Sequence, residues 1–311
     1  MRRFFFPLAL AICVQPALAD APKVITDIAP IHALVTQVMG DRGTPEVLLP
    51  AGGDPHDFQL RPSQARALAD AELIVWMGEA LSPWLERGLD GVGSKAVQLE
   101  LLEAKGTVTR SFGEAGEEAG GAHDHTHEAH NHEGHNHEGL DPHAWLDPEN
   151  GRIWLGLIAE ALAQADPEGA ATYRANEIEG RSVIDAAEAT ARATLAPVQD
   201  KPFAVLHDAY GYYADHFGLT IVGALRMGDA AQPGAAHVRD LQAELQASGA
   251  ACIFPEANHD SAMVEQMAQA AGVRMGAALD PSGANMNPGA GLYAAVLVGM
   301  ATDIAACLAD R

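Results

Sequence analysis

Positive charge is scarce in this chain. Lys and Arg number 19 against 42 Asp and Glu, a net charge of −23. That balance argues against nucleic acid or an anionic membrane surface as a partner. It suits a soluble protein that attracts cations, although an acidic surface also serves solubility alone. Cysteine is scarcer still, with three in 311 residues. One of them, Cys13, falls in the N-terminal apolar run, which leaves Cys252 and Cys307. Long apolar runs are missing as well. Phe4 to Val14 is too short to span a bilayer, and the apolar stretch near the C-terminus is broken by Asp303. The chain has no H-E-x-x-H motif and nothing resembling a nucleotide-binding loop.

The N-terminus reads as a secretory signal. Arg2 and Arg3 precede the apolar run, and Ala17-Leu18-Ala19 forms an A-x-A cleavage site. Cys13 follows Ile12, where a lipoprotein signal wants a small residue. The reading is therefore a signal peptide over 1–19 and a free periplasmic protein starting at Asp20. In an exported chain an isolated pair of cysteines reads as a disulfide ahead of a metal or redox site.

Short β-rich runs alternate with helical patterns along the mature chain. Val24–Thr26, Glu46–Leu49, Leu73–Trp76 and Ala96–Leu99 read as buried parallel strands. Ile31–Met39, Ser63–Ala69 and Leu81–Leu89 read as helices between them, with Ser63 as an N-cap after Pro62. A helix follows from Pro148 to Ala163, with Asp147 as its cap. The next helical pattern runs from Pro167 to about Leu195, far longer than the usual helix. The alternation then resumes with strands at Phe203–Leu206, Thr220–Val222, Ala251–Phe254 and Val273–Met275. Their helices are Tyr210–His216, Ala235–Ala247, Ser261–Ala270 and Leu292–Leu308. This pattern predicts an α/β fold: two (β/α) lobes with parallel sheets, joined by one long backbone helix. The division is 20–165, 166–197 and 198–311. A ligand would bind beyond the C-terminal strand ends, in the cleft between the lobes.

Between about 106 and 139 the hydrophobic periodicity disappears. The stretch "HDHTHEAHNHEGHNHEG" holds seven of the fourteen histidines: His123, His125, His127, His130, His132, His135 and His137. It repeats itself, His130–Gly134 recurring as His135–Gly139. Such a segment buries too little apolar surface to offset its ordering entropy. It reads as a mobile surface loop of the first lobe and as an accessory metal collector, with the transport site elsewhere.

Three further histidines stand at strand ends or in loops beside acidic residues. They are His56 in "AGGDPHDFQLRPS", His143 in "DPHAWLDP" and His207 in "AVLHDAYGYY". Asp280, in "ALDPSG", follows the last strand. A ligating imidazole gives one nitrogen to the metal and usually donates its other N–H to a carboxylate or carbonyl. His32, His216, His237 and His259 have no such motif and read as structural or surface residues. Trp76, Trp84 and Trp154 read as core. Glu256 and Asn258 fit either a turn or the lining of the cleft.

With these segments in view, the chain resembles the zinc- and manganese-binding solute-binding proteins of bacterial ABC transporters. It is most similar to the periplasmic zinc-uptake members. The resemblance covers the mature chain and rests on "GGDPHDFQLRPSQARALADAELIVWMG", "DPHAWLDPENG", "FAVLHDAYGYYADHFGL", "IFPEANH" and "LDPSG", together with the histidine-rich insertion. It implies one metal in the cleft, held by His56, His143 and His207. Manganese members carry a Glu where this chain has His207; imidazole in that place suits zinc, whereas carboxylate and water suit manganese. Three nitrogens and one oxygen would make a tetrahedral Zn²⁺ site with Zn–N of about 2.0–2.1 Å. The fourth position falls to Asp280 or to water, since Pro55 stands where some zinc members place a Glu before the first histidine. The resemblance also supports a Cys252–Cys307 disulfide pinning the last helix to the second lobe.

The function implied is capture of Zn²⁺ and its delivery to an inner-membrane ABC permease driven by a cytoplasmic ATPase. Zinc is then cargo, and the protein is a monomeric binding protein with no catalysis. Periplasmic zinc chaperones are further candidate partners. Two other readings use the same residues. One is a zinc hydrolase, because three histidines with an open fourth position also describe catalytic zinc. The other is a periplasmic zinc buffer with the histidine segment as its main store.

Overall fold

The computed structural model describes residues 21–112, 139–227 and 233–309. The expected signal peptide over 1–19 and the seven histidines from His123 to His137 lie outside the described residues. The first sheet holds β1 (Val24–Thr26), β2 (Glu46–Val47), β3 (Leu73–Trp76) and β4 (Val97–Glu100), all parallel, in the order β2-β1-β3-β4. Its crossovers are α1 (Ala29–Met39), α2 (Pro62–Asp70) and α3 (Pro83–Val92). The second sheet holds β5 (Phe203–His207), β6 (Ile221–Arg226), β7 (Cys252–Phe254) and β8 (Arg274–Met275). It is also parallel, in the order β6-β5-β7-β8, with crossovers α6 (Gly211–Phe217), α7 (Ala235–Ala247) and α8 (Ala262–Ala271). Both lobes thus use the same winding, and in each the first strand lies inside the sheet.

Between the two sheets the chain runs through α4 (Pro148–Ala165) and then the long helix α5 (Ala170–Leu195). At 1.5 Å per residue the 26 residues of α5 span roughly 39 Å. The helix starts three residues later than the sequence pattern predicts. The reason is Asp166, whose carboxylate accepts the Gly169 N–H (3.1 Å), the Tyr173 hydroxyl (2.7 Å) and the Arg42 Nε–H (2.9 Å). Those bonds hold 167–169 in a turn. The expected cap Ser63 is a second difference: Arg61 is the N-cap and Pro62 opens α2. Proline suits the first helical position because it lacks an N–H that would otherwise go unsatisfied. The Gln64 side chain accepts the Arg61 N–H and donates to Leu48 O.

The inner faces of both sheets, α1, α4, α5 and the final helix α9 (Leu292–Ala309) share one continuous core. Smaller clusters lie under α7 and α8 on the second sheet and under α2 and α3 on the first. By length and composition α9 is apolar enough to cross a membrane. Here it is a core helix, burying Tyr293, Val296, Leu297, Met300, Ile304 and Leu308 at spacings of three and four against α5 and α1. A disulfide between Cys252 in β7 and Cys307 in α9 ties it to the second sheet. Trp76, Trp84 and Trp154 are all buried.

Candidate metal centre

Each candidate histidine is held by its own local device. His56 follows the turn Pro50–Gly53 after β2, which the Gly53 N–H closes by donating to Pro50 O at 2.9 Å. The His56 N–H donates to Asp54 Oδ1 at 2.9 Å, and Trp84 Nε1 donates to Pro55 O at 2.8 Å, fastening the loop to α3. His143 lies at the start of a single 3-10 turn, Ala144–Leu146. That turn is covered by α9, whose Tyr293 hydroxyl donates to Trp145 O at 2.8 Å. Asn150 binds it from α4 by donating to Ala144 O at 3.0 Å. His207 is the last residue of β5, in the middle of its sheet.

Buried carboxylates set two of the three rings. Asp141 is fully buried, and its Oδ1 accepts both the backbone N–H of His143 (3.0 Å) and its Nδ1–H (2.8 Å). That bond leaves Nε2 of His143 for the cleft. Glu256, just beyond β7, places Oε2 3.4 Å from Nδ1 of His207 and accepts the Tyr210 hydroxyl at 2.7 Å. Its Oε1 lies 3.5 Å from Nε2 of His259. Burial alone would raise the Glu256 carboxyl, but the hydrogen bonds and charge of its partners outweigh it and hold the group below its ordinary range. Burial, with the adjacent carboxylate, pushes Tyr210 well above the usual phenol value, so it stays a donor.

The three imidazoles converge. One ring nitrogen from each of His56, His143 and His207 lies within 4.8 Å of the others, and this is the one such group among the described residues. Ring centroids are 5.3 Å apart for His56 and His143, 5.8 Å for His56 and His207, and 4.9 Å for His143 and His207. They line a cavity of about 240 Å³ between the lobes, together with Trp145, Glu256 and Arg226. Trp145 packs against His143 and donates its Nε1–H to Pro281 O across the cleft at 2.9 Å. Three nitrogen donors, two of them on rings set by carboxylates, suit a borderline ion such as Zn²⁺ better than a hard cation.

Asp280 is engaged elsewhere. Its Oδ1 accepts the Ala284 N–H at 2.8 Å and its Oδ2 the Asn285 N–H at 2.9 Å, which closes the turn after "LDPSG". It is not part of the converging group. Asp147 takes the predicted cap position, accepting the Glu149 N–H at 2.9 Å. His259, read from the sequence as structural or surface, lines the cavity with Asn258, the single non-glycine residue with positive φ (64°) among the described residues. The signal for Glu256 was its place directly after a buried strand run, at the sheet edge where ligands gather. His216 is structural: it bridges Asp147 (2.9 Å) and Glu188 (3.0 Å), joining α6 to α4 and α5.

A sequence model of the periplasmic zinc-uptake complex component A matches residues 24–307. The chain belongs to this family. The high-affinity zinc uptake system protein ZnuA of Paracoccus denitrificans is 46% identical, covering 96% of each chain. Its counterpart in Brucella abortus is 34% identical, over 95% of this chain and 94% of the relative. Among solved structures, a crystal structure of ZnuA superposes with a TM-score of 0.75 at 23% identity, covering 93% of this chain and 99% of that one. A zinc-bound ZnuA deletion mutant gives 0.76, also at 23% identity, with 94% and 100% covered. At that identity the superpositions establish the two-lobed fold. The family is one of solute-binding transporter components.

Proposed function

We propose that this protein captures Zn²⁺ in the periplasm through His56, His143 and His207 and delivers it to an inner-membrane ABC permease. The observation that carries the reading is the convergence of three ring nitrogens, one from each of three separate segments, in the cleft between the lobes. Two of those rings are oriented by buried carboxylates, so the ligands are arranged before the ion arrives and little ordering cost remains at binding. Asp280 or a water completes a tetrahedral shell; Asp280 would have to release two backbone amides to do so. Zinc is cargo here. A binding protein needs to hold its ion and release it to a partner, and the ligand set with its supporting carboxylates accounts for the holding. The lobes correspond to 20–165 and 198–311, with 166–197 as the connector, and the protein acts as a monomer. The histidines from His123 to His137 act as an accessory collector beside the transport site.

The test is metal analysis of protein purified from periplasm without added metal, alongside His56→Ala, His143→Ala and His207→Ala. The expected result is one tight zinc per molecule in the parent and loss of most of the affinity in each variant. An unchanged affinity in any one of them removes that residue from the ligand set.

A further inference from the structure

Arg110 occupies a position that the three ligands do not by themselves explain. It lies on a short antiparallel pairing of residues 110–111 with 140–141. Asp141 N–H donates to Arg110 O at 2.9 Å, and Ser111 pairs with Leu140. Its guanidinium is mostly buried and lies between two carboxylates: Nη1 is 3.2 Å from Asp141 Oδ2, and Nε is 3.2 Å from Asp215 Oδ2. Asp141 is the carboxylate whose other oxygen holds Nδ1 of His143. Asp215 belongs to α6, the helix that begins four residues after His207.

The second lobe is shaped to receive this side chain. Tyr212 of α6 accepts the Arg110 N–H at 2.9 Å and donates its hydroxyl to Asp141 O at 2.9 Å, so one side chain clasps both sides of the pairing. The guanidinium carbon lies 5.8 Å from the centre of the Tyr212 ring. A Cβ on Gly211 would fall 1.2 Å from Arg110 Nη1, so α6 opens with the residue that leaves room for the guanidinium.

We propose that Arg110 is a positioning residue for the metal centre, fixing Asp141 so that His143 is aimed into the cleft and tying that aim to the helix that follows His207. A fully buried carboxylate with a single partner is free to turn, and its unsatisfied oxygen is costly. The planar fork of Arg110 removes that freedom and sets the distance between Asp141, which holds His143, and α6, the helix that follows His207. Lysine carries the charge without the fork, and one ammonium cannot reproduce the directed bond to Asp141 while reaching Asp215 as well.

This inference rests on His143 being a ligand, and the experiment separates the two. Zinc affinity is measured by chelator competition for the parent, His143→Ala, Arg110→Lys and Gly211→Ala. Cobalt(II) is substituted to read coordination geometry from its visible absorption, and the melting temperature of the metal-free protein is recorded. Arg110→Lys and Gly211→Ala should each weaken zinc binding by about 10–100-fold, as loss of an outer support typically does, and should alter the cobalt spectrum. An affinity within twofold of the parent in Arg110→Lys, with the parent's cobalt spectrum, overturns the proposal. So does weaker binding with an unaltered cobalt spectrum and a lowered melting temperature, which marks a purely structural residue. Full affinity in His143→Ala instead overturns the ligand reading beneath it.

Discussion

At the scale of single residues, tuning of the centre is expected to come from carboxylates that do not bind metal. Glu256 is the clearest case, since it touches His207, Tyr210 and His259 at once. Glu256→Gln keeps the size of the side chain and can orient its amide with the NH₂ toward His207. Zinc affinity should then fall by about 10-fold or more, measured by competition; equal affinity would reduce Glu256 to a turn residue. Asp280→Ala should have a smaller effect than loss of any histidine, because water can take its place. X-ray absorption on the zinc-loaded variant checks this: an unchanged shell means that Asp280 is not a ligand. Ligand imidazoles must be neutral to bind, so affinity should decline below about pH 6.5. A flat affinity between about pH 7.5 and pH 5.5 would contradict nitrogen ligation.

At the scale of elements, His216 joins three helices. Burial would lower its pKa, but Asp147 and Glu188 outweigh that and raise it above the ordinary imidazole value. A raised folded pKa means that the charged form stabilises the fold. That stabilisation is fully present below about pH 6.5 and is lost as pH rises through the folded value. His216→Gln should therefore lower the melting temperature of the metal-free protein at about pH 6, with a deficit that shrinks by about pH 9. A deficit that does not change with pH would assign the loss to packing alone. The helices themselves were legible from apolar spacing. Their ends were less so, because hydrogen bonds from Asp166 and the rigidity of Pro62 decide where α5 and α2 begin.

At the scale of the molecule, one core runs through both lobes, and α9 closes it. The Cys252–Cys307 disulfide joins positions 55 residues apart. Its removal in Cys252→Ser/Cys307→Ser should cost about 2–4 kcal/mol, read from the denaturant midpoint. A midpoint equal to that of the parent would show that α9 needs no tether. The histidine segment belongs to this scale too. Deleting residues 123–137 should keep one tight zinc per molecule, remove weaker ones and slow loading under a competing chelator. Loss of the tight zinc on deletion, with His56→Ala unaffected, would reverse the roles of site and accessory.

Strand and helix order, the cysteine pair and the three histidines in loops or at a strand end were all readable along the chain. Each depends on residues close in sequence or on an isolated pair in a known compartment. Of the supporting carboxylates, Asp141 was readable as an acidic neighbour two residues before His143; the contacts between residues far apart in sequence were not. Asp141 meets Arg110 across 31 positions and Glu256 meets His207 across 49. His259 becomes a cavity residue only because the turn at Asn258 brings it back beside Glu256. Residue types singled out the candidate ligands; which nitrogen each ring offers, and how Asp280 is engaged, depend on hydrogen bonds formed as each lobe folds, while only the packing of the two lobes brings the three rings to one point.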